Sequence, residues 1–202
     1  MIDFNARSKR AYDKKAHNYD DTHDGKFTKK FKELLIANVR IKDNYSVLDV
    51  ACGNGTLLAA LSKKAAISGH GIDISSEMIK AASAKYSNLE FKTAGCEDIP
   101  YPDTKFDVIT VCASFHHFPD VSACAKEAER LLKPQGFLYI AEVCLSGFLR
   151  ALVNPFIKLS RAGDVRFYSA EEIIKTFTDR GFGPVDVIKE GHIQLVKLQK
   201  NR

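Results

Sequence analysis

Five short apolar runs, rich in β-branched residues, alternate with amphipathic stretches between residues 46 and 143. In chain order the runs are SVLDVA, GHGIDI, NLEFKTA, FDVITVC and GFLYIAEV. Apolar runs that are bounded by Gly and Pro and separated by helical segments are typical of parallel strands buried on both faces. The pattern therefore predicts a doubly wound α/β fold.

The C-terminal part of the chain departs from this alternation. Residues 147–168 form a longer, apolar-rich insert, and Ser169-x-x-Glu172 has the spacing of a capping box, which predicts a helix start. The runs PVDVIKE and HIQLVKLQ lie so close together that they predict a hairpin around Gly191. We therefore expect a mostly parallel, seven-stranded sheet with an antiparallel C-terminal strand.

The N-terminal part is polar, Lys-rich and helical in pattern. Five apolar residues there follow spacings that suit one buried helix face: Phe27, Phe31, Leu34, Leu35 and Val39. No repeat of about 20 to 50 residues and no Ser/Gly linker divides the chain, so we expect one domain over residues 1–202. Within it, residues 1–44 would form a helical cap or lid, 45–145 the core, and 146–202 the substrate-side insert and hairpin.

Composition excludes several classes of protein. The chain is 45% hydrophobic and 27% charged with 12 Gly and 6 Pro, which excludes collagen-like, coiled-coil and low-complexity sequences. No stretch reaches the roughly 18 uncharged apolar residues of a membrane span, and the N-terminus lacks the apolar core of a signal peptide. We therefore expect a cytoplasmic protein.

Charge and cysteine spacing argue against two kinds of site. The net charge of +5 is small and its basic excess is N-terminal, interspersed with Asp20, Asp21 and Asp24, so we expect no nucleic-acid partner. The five cysteines are scattered, and no two have the two-residue spacing of zinc or redox motifs. We expect reduced thiols and no metal site.

The most informative segment is VLDVACGNGTLLAALS, a strand that turns through Gly53 and Gly55 into a helix beginning near Thr56. Such a turn directs backbone N–H groups and a helix N-terminus at a ligand. Asp73 ends the next strand, where a doubly wound sheet places the carboxylate that accepts hydrogen bonds from a ribose diol. Turn and carboxylate together predict nucleoside binding.

Four ordered motifs resemble those of class I S-adenosylmethionine-dependent methyltransferases, in their small-molecule, type 11-like branch. DVACGNGT at residues 49–56 is similar to the glycine loop of this family, and GIDISSEM at residues 71–78 to its second motif. Residues 95–109 resemble the adenine-contacting turn and fourth strand, and residues 131–140 the fifth strand. The resemblance covers about residues 8–145 and the terminal hairpin.

The resemblance implies a site for S-adenosyl-L-methionine, with S-adenosyl-L-homocysteine as product. The glycine loop would line the methionine end of the cofactor, Asp73 would bind the ribose, and the residues after Asp73 would flank the adenine. The residues with implied cofactor contacts are Tyr19, Asp49, Ala51, Gly53, Gly55, Asp73, Ile74, Met78, Cys96, Glu97 and Cys112.

Two positions depart from the family pattern. Ala51 replaces the first glycine of the loop, and we expect it to take a negative φ because alanine is strained at positive φ. Gly95-Cys96 replaces the common Asp-Ala pair of the adenine turn. The backbone N–H of Cys96 would still contact the ring, and the carboxylate for the adenine amino group would come from Glu97 or Asp98.

The loop after the fourth strand is expected to face the methyl group, because ligands of open α/β sheets bind beyond the carboxyl ends of the strands. It carries His116 and His117, adjacent imidazoles that exchange protons near neutral pH and are candidates for a general base. The alternative is structural, with one ring packed under the loop and the other bonded to a backbone carbonyl. The loop lacks the Asp/Asn-Pro-Pro-aromatic tetrapeptide of enzymes that methylate nucleic-acid amino groups.

Two further segments have open interpretations. Tyr19 lies in an Ala-x-x-Tyr-Asp run similar to one that closes over the cofactor in this branch, and His23 is a weaker lid candidate. A surface aromatic is the alternative for Tyr19. The apolar insert over residues 147–168 would wall an apolar substrate pocket, dock a partner such as a second copy, or touch a membrane.

The sequence thus predicts a methyltransferase that transfers a methyl group to a small-molecule acceptor, mainly by proximity and alignment. One alternative is a non-catalytic module that binds S-adenosylmethionine or S-adenosylhomocysteine. The other is a nicotinamide-dependent dehydrogenase. Two features argue against it: the terminal hairpin, and Leu58 at the position where a dinucleotide-binding turn has its third glycine. The acceptor atom and the oligomeric state stay open.

Overall fold

The apolar runs form the strands of one sheet in the computed structural model, which describes residues 3–202. The strands are β1 (Ser46–Val50), β2 (Ser68–Asp73), β3 (Glu90–Thr93), β4 (Phe106–Cys112), β5 (Leu132–Val143), β6 (Phe182–Glu190) and β7 (Ile193–Lys200). Their order across the sheet is β3-β2-β1-β4-β5-β7-β6. Strands β1 to β5 pair in parallel, and β7 is antiparallel to both β5 and β6. The predicted fold class and the C-terminal hairpin are confirmed.

Helices cover both faces of this sheet. They are α1 (Phe4–Asp13), α2 (His23–Asn38), α3 (Thr56–Lys64), α4 (Ser76–Lys85), α5 (Val121–Leu131), α6 (Gly147–Ile157) and α7 (Ala170–Thr178), with short 3₁₀ helices at Ala16–Asp21 and Phe115–His117. Side-chain caps fix several starts. The predicted capping box of Ser169 and Glu172 is formed at α7, and Ser75 accepts from the backbone N–H of Met78 at α4.

The parallel strands are buried on both faces, because neighbouring residues of a strand point to opposite sides of the sheet. In β1, Val47 packs in the apolar cluster that also contains Phe31 of α2 and Leu58 of α3. The next residue, Leu48, packs in the cluster that contains Phe177 of α7. This two-sided burial leaves the carboxyl ends of the strands as the place where a ligand can enter the sheet.

Phe27, which we predicted on the buried face of α2, is partly exposed. Phe31, Leu34 and Leu35 are buried, whereas Phe27 is 40% exposed. The ring of Phe27 stacks with His192 at a centroid distance of 5.3 Å. The N-terminal half of α2 therefore contacts the hairpin between β6 and β7 through Phe27, whose other side is open to solvent.

The apolar residues of the insert lie on the surface. Large side chains on and after α6 are strongly exposed: Phe148, Leu149, Leu152, Phe156 and Leu159. None of them lines the cavity described below. Within residues 3–202, no helix combines the length and the apolar character needed to cross a membrane.

Candidate active site

A cavity lies at the carboxyl ends of β1, β2 and β4, where the fold is expected to bind a ligand. Most of the predicted site residues line it: Tyr19, Asp49, Ala51, Gly53, Asp73, Ile74, Met78, Cys96, Glu97, Cys112 and His117. Two predicted residues, Gly55 and His116, do not line the cavity. The chain therefore brings together residues from five segments that are distant in sequence.

The glycine turn contains a conformation that the sequence did not predict. Ala51 has a φ of 58°, so the expectation of a negative φ at this position is wrong. The backbone N–H of Cys52 donates to the carbonyl of Ile72 at 2.8 Å, which ties the turn to the end of β2. For alanine the left-handed conformation costs about 1–2 kcal/mol, an amount that the surrounding hydrogen bonds and packing can offset.

The two glycines of the turn serve different purposes. Gly53 has a φ of 53°, and a Cβ added there would meet nothing within 4 Å, so its backbone is open to the cavity. Gly55 has a φ of 77°, but a Cβ there would lie 2.7 Å from Cζ of Phe91. The requirement for glycine at position 55 thus comes from packing under the turn and from the start of α3.

Asp73 is a buried carboxylate at the end of β2. Its Oδ2 accepts from the backbone N–H of Gly53 at 2.8 Å, and its Oδ1 accepts from the N–H of Ser75 at 2.8 Å. Burial raises the pKa of Asp73 to about 6, against the lowering effect of these two N–H donors. A carboxylate has about four acceptor sites, so Asp73 can hold the turn and still accept two hydroxyl groups.

The other end of the cavity carries groups of both charge signs. Asp49 accepts from the hydroxyl of Thr110 at 2.7 Å, and burial raises the pKa of Asp49 to about 7. Lys32 of α2 donates to the hydroxyl of Thr56 at 2.7 Å and lies 5.6 Å from the ring centroid of Tyr19. Such a pair of charges suits a zwitterion. The sequence analysis missed Lys32, although Lys32 follows Thr28 by one helical turn on the cavity side of α2.

Glu97 and Asp98 differ in their exposure to solvent. Glu97 lines the cavity and accepts from the side chain of Asn5 at 3.5 Å, whereas Asp98 is exposed and outside the wall. A hydrogen bond with Cys124, together with burial, raises the pKa of the neighbouring Cys96 thiol above its usual value and keeps it protonated. Of the two carboxylates left open by the sequence, the cavity therefore contains that of Glu97.

Helix α1 and the following 3₁₀ helix cover the cavity. Tyr19 is 8% exposed and is part of the wall, whereas the side chain of His23 is 94% exposed. Asn5, Ser8 and Tyr12 of α1 also line the cavity. Their spacing of three and four residues places them on one helix face. The sequence analysis did not identify this face, because the segment is polar and has no apolar periodicity to mark it.

The two adjacent histidines have different surroundings. Nδ1 of His116 lies 2.8 Å from Oε1 of the fully buried Glu142. Nε2 of His117 lies 3.0 Å from the hydroxyl of Tyr12, and Nδ1 of His117 lies 3.0 Å from Oδ1 of Asp164. Of the two rings, only that of His117 reaches the cavity wall.

These surroundings move the two pKa values in opposite directions. Burial alone would lower the pKa of His116, but the carboxylate of Glu142 and then that of Asp164 raise it above its usual value. Burial and the neighbouring His116 lower the pKa of His117 well below its usual value. His117 is therefore the neutral ring of the pair at pH 7, and it is the ring at the cavity.

Comparison with known proteins shows what part of the chain is similar to a known family. Residues 48–140 match the family model described as a methyltransferase domain. The ubiquinone/menaquinone biosynthesis C-methyltransferase UbiE of Rickettsia akari (strain Hartford) is 40% identical over 104 residues, which cover 46% of this chain and 42% of the relative. The enzyme of the same name from Rickettsia bellii (strain OSU 85-389) is 38% identical over 126 residues, covering 57% of this chain and 50% of the relative. The chain thus spans about half, or less, of the length of these relatives.

Solved structures share the fold at low sequence identity. A chain of the complex between the Haloferax volcanii Trm112 methyltransferase activator and a methyltransferase has a TM-score of 0.83 and 19% identity, covering 95% of this chain and 98% of that chain. The geranyl diphosphate C-methyltransferase of Streptomyces coelicolor A3(2), crystallised with S-adenosyl-L-homocysteine, has a TM-score of 0.70 and 12% identity, covering 84% and 74%. The family match extends over the glycine turn, Asp73 and the loop of the two histidines. Residues 48–140, which make up slightly less than half of the chain, are therefore similar to a methyltransferase domain.

Proposed function

We propose that this chain transfers a methyl group from S-adenosyl-L-methionine to a small-molecule acceptor. The observation that carries the proposal is one cavity in which the open backbone of Gly53, the buried Asp73 and the charged pair of Lys32 and Asp49 converge. These groups suit a nucleoside with a zwitterionic tail and no phosphate. The family match and the C-methyltransferase names of the relatives support the same activity.

The proposed placement of the cofactor follows the charges and the burial in the cavity. Asp73 would accept from both ribose hydroxyls, while Asp49 would accept from the ammonium group of the methionine tail. Lys32 and the N–H groups at the start of α3 would bind its carboxylate. The adenine would lie between Ile74 and Met78, with Cys96 and Glu97 at its edge, and Tyr19 would close over the cofactor.

Methyl transfer needs little from the protein beyond geometry. The acceptor atom forms a bond to the methyl carbon while the carbon–sulfur bond breaks, and the sulfonium becomes the neutral thioether of S-adenosyl-L-homocysteine. Alignment of the two reactants can lower such a barrier by about 7–11 kcal/mol, while a general base adds about 10²- to 10⁴-fold. For an acceptor that loses a proton, we propose His117 as the base, because it is neutral and lines the cavity, and His116 as the ring that positions it.

An apolar acceptor fits this proposal. Phe118 and Ala113 line the cavity beside His117, and the relatives are named as quinone-biosynthesis C-methyltransferases. We also propose a single domain over residues 1–202 in a cytoplasmic location, which agrees with five cysteines that are all free in the described structure. A homodimer is compatible with the exposed apolar side chains of α6.

Two measurements test the proposal. Calorimetry on the purified chain should show micromolar binding of S-adenosyl-L-homocysteine and none of NADH. Incubation with S-adenosyl-L-methionine labelled in its methyl group, together with cell extract, should transfer label to a small organic-soluble product. Binding without transfer would instead support a non-catalytic module, and binding of NADH alone would support a dehydrogenase.

A further inference from the structure

Three side chains with metal-ligating atoms meet beside the cavity. His116 and His117 come from the loop after β4, and Asp164 comes from the segment between α6 and α7. One nitrogen of each ring and one carboxylate oxygen all lie within 4.8 Å of one another. We propose that these three residues bind one divalent transition-metal ion of the zinc type.

The distances between the ligand atoms fit such an ion. Oδ1 of Asp164 lies 3.0 Å from Nδ1 of His117 and 3.6 Å from Nε2 of His116. In a tetrahedral site with metal–nitrogen and metal–oxygen bonds of about 2.0–2.2 Å, adjacent ligand atoms are about 3.3–3.5 Å apart. The two ring nitrogens lie within 4.8 Å of each other, so all three atoms can bond to one ion after a shift of at most about 1.5 Å.

The ring nitrogens that face away from the ion have the partners that ligating histidines require. A metal-bound histidine almost always donates its other N–H to a carboxylate, a carbonyl or another polar oxygen. Nδ1 of His116 lies 2.8 Å from the carboxylate of Glu142, and Nε2 of His117 lies 3.0 Å from the hydroxyl of Tyr12. Both rings are thus fixed with the ligating nitrogen directed at Asp164.

One of the ligating nitrogens is otherwise unexplained. Nδ1 of His117 is buried and makes no hydrogen bond of good geometry within the described residues, although Oδ1 of Asp164 lies 3.0 Å away and the backbone of Gly163 is also near the ring. Most buried polar atoms have a hydrogen-bond partner, so an exception calls for a reason. A lone pair directed at a metal ion supplies that reason.

The backbone holds the third ligand against the other two. The N–H groups of Val165 and Arg166 donate to the carbonyl of His116 at 2.8 and 3.3 Å. Asp164 is therefore attached to the histidine loop by the two residues that follow it. The ligand set is assembled by the tertiary fold, and this explains why the cysteine spacing and the histidine pair gave no metal prediction.

The donor set indicates the class of ion. Two imidazoles and one carboxylate favour zinc and neighbouring transition metals, whereas Mg²⁺ and Ca²⁺ prefer oxygen ligands alone. Three protein ligands leave one coordination position for water or a substrate atom, as in catalytic zinc sites. The site borders the cavity through His117. With the ion bound, both ring nitrogens of His117 are engaged, so the ion would assist the reaction by polarising an oxygen of the acceptor, and His117 would act as the proposed base only in the metal-free chain. Metal binding itself does not depend on the proposed methyl transfer.

Titration of the full chain with Co²⁺ tests the proposal. After removal of metals with a chelator, Co²⁺ should bind at one equivalent and give visible absorption bands of a four- or five-coordinate site, and Zn²⁺ should displace it. Asp164→Asn and His116→Gln should weaken Zn²⁺ binding at least about tenfold, and Glu142→Gln by about 10- to 100-fold. His23→Gln is the matched control, because the side chain of His23 is 94% exposed.

A second measurement uses the unaltered protein and so does not depend on the folding of variants. In ¹⁵N-labelled protein, Zn²⁺ should shift the ring resonances of two of the six histidines and leave the other four unchanged. The proposal is overturned if Co²⁺ gives no spectrum that saturates at one equivalent, or if a thiolate-to-cobalt band appears. It is also overturned if Asp164→Asn binds Zn²⁺ as tightly as the unaltered chain. Binding of S-adenosyl-L-homocysteine by metal-stripped protein is measured separately, so failure of the metal site and failure of the proposed function are distinguishable.

Discussion

Replacement of Asp73 by asparagine separates its proposed cofactor contacts from its contribution to folding. The amide has the shape of the carboxylate, but one of its two terminal atoms becomes a donor. In the folded chain both oxygens of Asp73 accept from backbone N–H groups, those of Gly53 and Ser75. The asparagine can keep only one of these bonds, and it retains only one neutral acceptor for the ribose.

The expected loss of binding is large. Each hydrogen bond from a ribose hydroxyl to a carboxylate contributes about 1.5–3 kcal/mol, and a neutral hydrogen bond contributes about 0.5–1.5 kcal/mol. Loss of one charged bond and weakening of the other amount to about 2–4 kcal/mol. The affinity for S-adenosyl-L-homocysteine should therefore fall by about 30- to 1,000-fold.

The free energy of unfolding should change much less. Burial raises the pKa of Asp73 from 3.8 to about 6, so between these values the folded state binds more protons than the unfolded state. The stability contribution of this group therefore falls as the pH rises from about 4 to 6, and at pH 7 the buried charge costs about 3 kcal/mol. Asparagine removes that cost but loses one buried hydrogen bond of about 1–3 kcal/mol. The free energy of unfolding of the unliganded variant should therefore stay within about 2 kcal/mol of that of the unaltered chain.

Calorimetry and urea unfolding at pH 7 measure the two quantities on the same preparation. Asp179→Asn is the matched control, since the side chain of Asp179 is 70% exposed at the end of α7, away from the cavity wall. The reasoning is refuted if Asp73→Asn binds S-adenosyl-L-homocysteine within about threefold of the unaltered chain. A variant that loses binding only because it is unfolded would show no cooperative urea transition.

Three other predictions follow from the same cavity. The affinity for S-adenosyl-L-homocysteine should rise between about pH 5 and 7, because Asp73 must lose its proton to accept two hydroxyls. Calorimetry at several pH values should find this rise smaller in Asp73→Asn and centred near pH 7, where Asp49 titrates. Lys32→Met should weaken binding by about tenfold or more through loss of the charge near the methionine carboxylate, whereas Lys29→Met, at a side chain that is 75% exposed, should bind normally. Ala51→Gly should raise the free energy of unfolding by about 1 kcal/mol, because glycine relieves the strain of the positive φ. Ala59→Gly, in the interior of α3, should lower the free energy of unfolding by at least that amount. Urea unfolding would contradict this account if both changes had the same sign.

The elements whose signals are local in sequence were predicted well. The strands of the parallel sheet, the start of α3, the capping box at Ser169 and the hairpin around Gly191 each follow from a few consecutive residues. The cavity wall at Gly53 and Asp73 was also predictable, because a doubly wound sheet fixes where the ends of its first two strands meet.

Contacts between distant segments could not be predicted in the same way. Lys32 and Tyr12 line the cavity because their helices cross the ends of the strands, and hydrophobic periodicity says nothing about a polar residue on a covering helix. The exposed apolar side chains of α6 also escaped the pattern, since periodicity reports an apolar surface and not what lies against it.

The sequence by itself determined the sheet, the glycine turn and the carboxylate at position 73, since hydrophobic alternation and the chirality of β-α-β connections leave few arrangements for them. Only the tertiary structure decided that Ala51 is left-handed and that Asp164 and Glu142 flank the two histidines. The physical reason is that long-range packing sets these positions. Backbone strain at one residue is compensated by bonds to another strand, and side chains far apart in the chain become neighbours only when the sheet and its covering segments are in place.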